Sequence, residues 1–328
     1  MSATLTLEQQ REYLLEFGSQ SNAYFHFLEG LQTFHLPGVG FVSYHLQPRW
    51  RGPVPMVFVK PLCANANLHR LLEAFLAGQG RAAVFLGMDE ATARVLSGLG
   101  FSVNEFGVEF NVAIQEHRVQ GKAMKHLRTV LHNGAKGVEV KELHPGEVPL
   151  DELTRISDGW LRAHRVNNRE LQFLTRPPRF QEEWQVRKFY CFKDGRLVGF
   201  VFFDPFFQGG RCLGYCANIL RCEGGLRPPG ILDFAILTAM AKFREEGLQS
   251  LALGVAPLHD LQKYPGDNPI LRICGQQLYR FGGSLYNFRE LAFHKSRYRG
   301  TMSKLYFCKR GLGNLAAFSL SLRATKVL

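Results

Sequence analysis

RCLGYCANILRCEGGLRPPGILDFAILTAMAKFREEGLQSLALGVAPL, residues 211–258, reads as a strand (Cys212 to Leu220), a Gly/Pro-rich turn (Arg221 to Gly230), an apolar helix (Ile231 to Glu246) and a second strand (Ser250 to Val255). That order of elements belongs to an α/β core. A glycine-rich turn feeding a helix N-terminus offers unpaired N–H groups and partial positive charge to an anionic ligand group. The same glycines also suit an ordinary crossover that needs tight backbone geometry. Asn218 and Arg221 tilt the reading toward function, because an amide and a guanidinium at the end of an apolar strand need partners or a ligand.

Composition sets the outer bounds. A chain of 328 residues that is 46% hydrophobic and 12% aromatic has the material for one large or two medium cores. With 40 Lys+Arg against 28 Asp+Glu the net charge is +12, an excess that predicts a polyanionic partner, either nucleic acid or an anionic membrane surface. No apolar run of about 20 residues occurs, which excludes a spanning helix from the expectation. MSATLTLEQQREYLLEF lacks a signal-peptide core, so a cytoplasmic location is expected. Seven cysteines sit mostly in apolar strands, without a CxxC pair or zinc spacing; reduced buried thiols and no metal are expected.

Along the first half, helices are predicted at Leu7 to Phe17, Tyr24 to Leu31, Leu68 to Ala77 and Glu90 to Leu99. Strands are predicted at Val39 to His45, Pro55 to Val59, Ala82 to Leu86, Phe101 to Val103 and Phe106 to Ile114. AFLAGQGRAAVFLG followed by a helix and SVNEFGVEF matches, in glycine positions and pattern, the later helix, LALG, helix and FGGSLYNF. Two copies of one α/β unit are therefore expected: lobes at 1–117 and 146–310, a basic linker at 118–145 and a tail helix at 311–328.

On the linker helix Lys122, Lys125, Arg128, His132 and Lys136 share an arc of roughly 120°, while Ala123, Met124, Leu127, Val130 and Leu131 fall on a separate arc of similar width. Such a stripe is either a solvated face or a phosphate-binding one, and the absence of an interleaved acid favours phosphate. Leu150 to His164 reads as a helix with Trp160 on its apolar face, and RVNNRELQFLTRPPRF as a surface loop over the cleft. Strands at Lys188 to Phe192 and Leu197 to Phe203 flank a Lys193-Asp194-Gly195 turn. Near the end His294, Lys295, Arg297, Arg299, Lys304, Lys309 and Arg310 alternate with aromatics, as in a base-stacking surface or a charge-protected edge strand. Leu312, Leu315, Phe318 and Leu322 at helical spacing predict a tail helix docked on its own domain.

GVEFNVAIQEHRVQGKAMKHLRTVLHNGAKGVEV, LTRISDGWL, NILR followed by PPGILDFAILTAMAKFREEG, LALGVAPL, and LYRFGGSLYNFRELAFHKSRY, taken in this order, carry a likeness. Over about residues 20–310 the sequence resembles the C-terminal domain of the bacterial phosphatidylglycerol lysyltransferases, the multiple peptide resistance factors, and their stand-alone relatives. The resemblance implies an α/β fold of tandem acetyltransferase-like (GNAT) lobes, with mixed sheets flanked by helices and joined by a basic helix. It implies transfer of an amino acid from aminoacyl-tRNA to an acceptor hydroxyl, on a lipid head group or another lipid or small molecule, with aminoacyl-tRNA as co-substrate and no other cofactor. The lysyltransferases' large N-terminal membrane region has no counterpart in this sequence, which leaves the acceptor open and peripheral contact with an anionic membrane as an expectation.

Where that family's strand end reads Asp-Leu-Met-Arg, this chain has Asn218-Ile219-Leu220-Arg221, and the typical Phe-Lys-x-Lys-Phe becomes His294-Lys295-Ser296-Arg297-Tyr298. An amide in place of the carboxylate implies a neutral or differently held aminoacyl group, or an altered or absent activity. The resemblance assigns catalysis to Asn218, Arg221, Lys295 and Asp233: Arg221 and Lys295 for developing charge or terminal phosphates, Asn218 for the aminoacyl amine, Asp233 for the turn. Trp160, Tyr215, Gly254, Arg297 and Tyr298 are expected at the substrate, and Lys122, Lys125, Arg128, His132 and Lys136 on the tRNA. His164 and His294 are the candidates for general base. Two rivals remain: an acyl-CoA-dependent N-acyltransferase, whose pyrophosphate loop is half met by Arg227-Pro228-Pro229-Gly230-Ile231-Leu232, and a catalytically silent RNA-binding module.

Overall fold

A computed structural model describes residues 5–163, 171–227, 229–284 and 286–327. The first half runs α1 (Leu7–Phe17), β1 (Gln32–Leu36), β2 (Gly40–Gln47), β3 (Val54–Val57), β4 (Leu62–Cys63), α2 (Leu68–Ala77), β5 (Ala83–Met88), α3 (Glu90–Gly98) and β6 (Ser102–Ala113). The second runs α4 (Lys125–Gly134), β7 (Glu139–Glu142), α5 (Leu150–Ala163), β8 (Arg187–Lys193), β9 (Arg196–Gln208), β10 (Arg211–Cys222), α6 (Ile231–Glu245), β11 (Ser250–Pro257), α7 (Pro269–Phe281), α8 (Phe288–Ser296), β12 (Thr301–Arg310) and α9 (Asn314–Ala324). Local chemistry sets several of these bounds. Thr6 and Gln9 close a reciprocal capping box at α1, and the Asp89 side chain accepts from Thr92 N at the start of α3.

Among the described residues the strands form one mixed sheet in the order β1-β2-β3-β5-β12-β6-β11-β10-β9-β8-β7, with β4 paired to β2 off that path. The order reads alike from the centre outward. On each side a parallel pair is closed by a crossover helix, β3 with β5 by α2 and β10 with β11 by α6, and antiparallel strands follow. The last strand of each half is exchanged: β12 pairs with β5 and β6 with β11. The expected mixed sheets flanked by helices are thus a single sheet, welded at its centre by these two strands.

Some elements depart from the sequence reading. Tyr24 to Leu31 is a 3-10 turn over Ala23–Phe27, and the chain is extended again from Gln32. Its His26 is buried between Ser43 Oγ (2.8 Å) and the Lys60 carbonyl (3.1 Å), contacts an extended amphipathic helix would not make. Phe101 to Val103 and Phe106 to Ile114 merge into β6. β12 lies inside the sheet, not at an edge, and its cations serve the protein: Lys304 pairs with Glu105 (2.8 Å) and Asp260 (3.2 Å), Lys309 donates to the Leu312 carbonyl, and Arg310 donates to the Leu99 carbonyl. In α9 the docking face is Ala317, Leu320 and Ala324, while Leu315 points outward.

α4 turns its buried Leu127, Val130 and Gly134 inward and leaves Lys125, Arg128 and His132 exposed; Lys122, in a preceding 3-10 turn, and Lys136, past the helix end, are exposed as well. Phe234 of α6 packs so close that a Cβ on Gly134 would lie 2.4 Å from its ring. The crossover itself depends on a closer approach. A Cβ on Gly214 would stand 1.8 Å from the Ser250 carbonyl oxygen, at the first residue pair of the β10–β11 ladder. Gly214→Ala is therefore expected to cost about 3 kcal/mol, read as a lower urea midpoint with an unchanged m-value.

Candidate functional site

The parallel ladder between β10 and β11 is short. It runs from Gly214–Ser250 to Cys216–Ala252, although β10 continues to Cys222 and β11 to Pro257. Beyond that point the two strands part, and a cavity of about 720 Å³ occupies the gap. α5, α8 and the segment 171–175 wall it, and Phe58, Leu86, Gly87 and Phe106 extend it into the first half of the sheet.

Two irregularities aim the polar groups. β10 carries a bulge between Ala217 and Ile219, so Asn218 leaves the alternation of its strand. β11 carries another between Ala252 and Gly254, and at Gly254 φ is +75° and a Cβ would lie 3.4 Å from Lys295 Nζ and 3.6 Å from Cys216 Sγ. Lys295 reaches over from α8 and donates to the Val255 carbonyl at 2.7 Å. Burial of its ammonium lowers its pKa to about 8, against the pull of Cys216 and Glu109. Arg221 is buried and its guanidinium stacks 3.5 Å from the centre of the Trp160 ring.

Asn218 belongs to a buried charge network that the sequence reading missed. Its Nδ2 donates to Asp204 Oδ2 at 2.6 Å, and Thr175 donates to its Oδ1 at 3.5 Å. Asp204 also accepts from Arg176 Nε (2.9 Å) and Nη2 (2.7 Å), Arg176 continues to Glu183 (2.7 Å), and Glu183 to Lys188 (3.1 Å). Burial alone would lower the Arg176 pKa, but Asp204 and Glu183 hold it above its ordinary value. A readable signal existed: an aspartate inside Phe202-Phe203-Asp204-Pro205-Phe206-Phe207 has to find a partner once the strand is buried.

Asp233 lies outside the cavity lining, at the third residue of α6. There it meets Tyr298 OH (2.6 Å), His294 Nε2 (2.8 Å), Arg297 Nη2 (3.4 Å) and His126 Nε2 (3.7 Å). Burial alone would raise its pKa, but the contacts from His294, Tyr298 and Arg297 hold it down at about 2. The partial positive charge at this helix end, read as a place for a ligand anion, is thus answered by the chain's own carboxylate. Asp233 in turn orients His294, which does line the cavity.

Of the expected site residues, Trp160, Asn218, Arg221, Gly254 and Lys295 come together on the cavity wall. Three substrate-side expectations need correction. Tyr215 is stacked on Phe243 of α6 (4.8 Å) because it projects from the opposite face of β10, Tyr298 is fully buried against Asp233, and Arg297 spans from Asp233 to His126. His164 lies outside the described residues, which also contain no cluster of metal-ligating side chains.

Comparison with known proteins places the chain. A profile of the family described as "Phosphatidylglycerol lysyltransferase, C-terminal" matches residues 11–309. The phosphatidylglycerol lysyltransferase of Bacillus subtilis (strain 168) is 25% identical over 196 residues, which is 57% of this chain and 22% of that protein, so the match spans about a fifth of the relative. The structure of L-PGS from Bacillus licheniformis superposes with a TM-score of 0.77 at 18% identity over 99% of both chains. FemX superposes with a TM-score of 0.60 at 11% identity over 97% of this chain and 98% of its own. At these identities the two structures speak for the fold.

The low pKa of Asp233 has a stability consequence. A carboxylate whose pKa falls on folding stabilises the protein above its unfolded value and loses that contribution as pH drops through the folded one. From 3.8 to about 2 this amounts to about 2 kcal/mol. Asp233→Asn should flatten the acid limb of stability between about pH 4 and about pH 2, measured by urea unfolding across that range.

Proposed function

Because this chain belongs to the family of phosphatidylglycerol lysyltransferase C-terminal domains, we propose that it transfers an aminoacyl group from aminoacyl-tRNA to the hydroxyl of a lipid or small-molecule acceptor. The observation that carries the reading is the cavity at the parted strands, which brings Arg221, Lys295 and an Asp233-oriented His294 to one wall. An aminoacyl ester is already activated, so the site has to position the acceptor oxygen, accept its proton and stabilise an oxyanion.

With Nε2 of His294 committed to Asp233, its Nδ1 is the ring nitrogen that takes the acceptor proton as the acceptor oxygen bonds to the ester carbonyl carbon. The ammonium of Lys295 and the guanidinium of Arg221 stabilise the negative carbonyl oxygen of the tetrahedral intermediate. As the bond to the ribose oxygen breaks, His294 returns the proton to that oxygen and the free 3′ end of the tRNA leaves. The exposed Lys122, Lys125, Arg128, His132 and Lys136 supply phosphate contacts for the acceptor stem.

An acyl-CoA donor is disfavoured at the α6 N-terminus. Val130 of α4 lies against Gly230, within 2.8 Å of where a Cβ would be, and Asp233 puts a negative charge where a pyrophosphate would need open N–H groups.

The test is protein-dependent consumption of a mixed pool of radiolabelled aminoacyl-tRNAs in the presence of lipid extract or small-molecule acceptors; tRNA binding without turnover would sink the transferase reading. Since Lys295 acts protonated, kcat should fall as pH rises through about 8, and Lys295→Arg should move that alkaline limb upward while leaving the acid limb in place. Replacing Lys122, Lys125 and Arg128 with alanine should weaken tRNA binding with little effect on kcat. It should also reduce the slope of log K against log salt by about 3, measured by filter binding across a salt series.

A further inference from the structure

We infer that Glu290 holds the α-ammonium of the aminoacyl group, an assignment that rests on the transferase function proposed above. The cavity then takes an aminoacyl ester with a free α-amine and turns away an N-acylated one, such as a peptidyl ester. Whatever its side chain, an aminoacyl ester brings an α-ammonium beside the reacting carbonyl. Entry strips part of the hydration of that ammonium, and Arg221 and Lys295 on the same wall add like charge. A carboxylate within hydrogen-bonding reach offsets both.

Among the described residues, Glu290 is the one acidic side chain on the cavity wall. It is exposed, and its carboxylate makes no hydrogen bond or ion pair with a described residue. The acids behind the wall are engaged elsewhere. Asp204 accepts from Arg176 Nη2 at 2.7 Å, Arg176 Nε at 2.9 Å and Asn218 Nδ2 at 2.6 Å. Glu109 accepts from Ser21 Oγ and Asn111 Nδ2, and Asp233 is enclosed by His294, Tyr298 and Arg297. β10 brings an amide to the wall at Asn218, so the negative charge there comes from α8.

The place of Glu290 on α8 gives it the reach. Asn287, Glu290, Leu291, His294 and Lys295 line the cavity at the i, i+3, i+4, i+7, i+8 spacing of one helix face, while Phe288 and Ala292 are buried. The Asn287 side chain accepts from Glu290 N and fixes that first turn. Glu290 precedes His294 by one turn, a spacing that sets the Cβ atoms about 5–6 Å apart. An aminoacyl group bridges such a gap, because its amine and its carbonyl sit on adjacent carbons. With the ammonium at Glu290, the carbonyl carbon faces His294 and its oxygen faces Lys295, the groups assigned above to the acceptor proton and the oxyanion.

Leucinamide and 4-methylpentanamide share a skeleton and differ in the α-amine, as do alaninamide and propionamide. In thermal unfolding at about pH 6.5, below the α-amino range, the two amino-acid amides should raise the Tm of the wild-type protein more than their counterparts without the amine. In Glu290→Gln that difference should vanish, and Glu290→Asp, which keeps the charge, should retain part of it. Each variant is read against its own unliganded Tm, so the loss of a first-turn charge from α8 cancels. Equal effects within each pair, no effect of any probe, or a difference that persists in Glu290→Gln overturns the inference. Turnover gives a second readout: wild type should consume its preferred aminoacyl-tRNA about 10-fold faster in kcat/KM than the same tRNA with the amine acetylated, and Glu290→Gln should treat the two alike. Consumption that ignores acetylation overturns the assignment of Glu290 and leaves the transferase reading intact. A Tm rise that depends on both the amine and Glu290, with no charged tRNA consumed, does the reverse.

Discussion

The structure depends on how soon the β10–β11 ladder ends. Two parallel strands that stayed paired to their ends would bury their amides in hydrogen bonds and leave no room between them. Here the pairing stops at Cys216 and Ala252, and each strand carries a bulge just beyond that point, at Asn218 in β10 and at Leu253 in β11. Backbone groups released from the ladder at this gap must find other partners. Lys295 supplies one by donating to the Val255 carbonyl, which places an ammonium in the cavity as a consequence of the backbone geometry. Asn218 arrives by the same route: a bulge residue no longer follows the in-and-out alternation of its strand, so its side chain can turn to Asp204 while its neighbours remain in the core.

Holding that gap open sets a second requirement, met by the network from Asn218 through Asp204, Arg176 and Glu183 to Lys188. Four ionised side chains inside a protein interior are stable only as a closed set, with charges balanced and lone pairs filled, because each would otherwise keep its full desolvation penalty. The set spans the segment carrying Thr175 and Arg176, the strands β8 and β9, and Asn218 on β10. It ties the cavity's irregular wall to regular strands at fixed distances. An apolar core could hold the same elements together with less electrostatic risk, but it would not dictate where the amide of Asn218 points.

What could be read from the sequence divides along physical lines. Helices set by neighbours in sequence, α1 through its Thr6 and Gln9 cap and α2 through its apolar face of Leu68, Leu71, Leu72, Phe75 and Leu76, had limits legible to the residue. VFLG and LALG look alike in sequence because β5 and β11 each carry a positive-φ glycine, Gly87 and Gly254. The exchange of β6 and β12 was not, since nothing local distinguishes a central strand from an edge strand when its outward cations, Lys304 among them, are answered by Glu105 and Asp260 far away in the chain. For the candidate site, the end of β10 drew attention to Asn218 and Arg221, which share a cavity wall with Lys295 of α8. They did not tell which groups stand behind them. Asp204 precedes Asn218 by a hairpin, Arg176 lies in an irregular segment without periodicity, and the pairing of His294 with Asp233 joins two helices that no spacing rule connects.

Asp233 occupies the helix end where the glycine-rich turn predicted a ligand anion. A helix N-terminus attracts negative charge whether it comes from outside or from the first turn of the same helix. With Asp233 at that place the turn needs no external anion. Its carboxylate is free to act as a junction instead, receiving His126 from α4, His294 from α8, and Arg297 and Tyr298 from the residues that follow α8. The exposed cations of α4 and the imidazole at the cavity wall therefore share one fixed point. A polyanion gripped along α4 would be held at a set distance from His294 by a single buried carboxylate, and the contacts from His294, Tyr298 and Arg297 make that carboxylate hard to protonate and so hard to release.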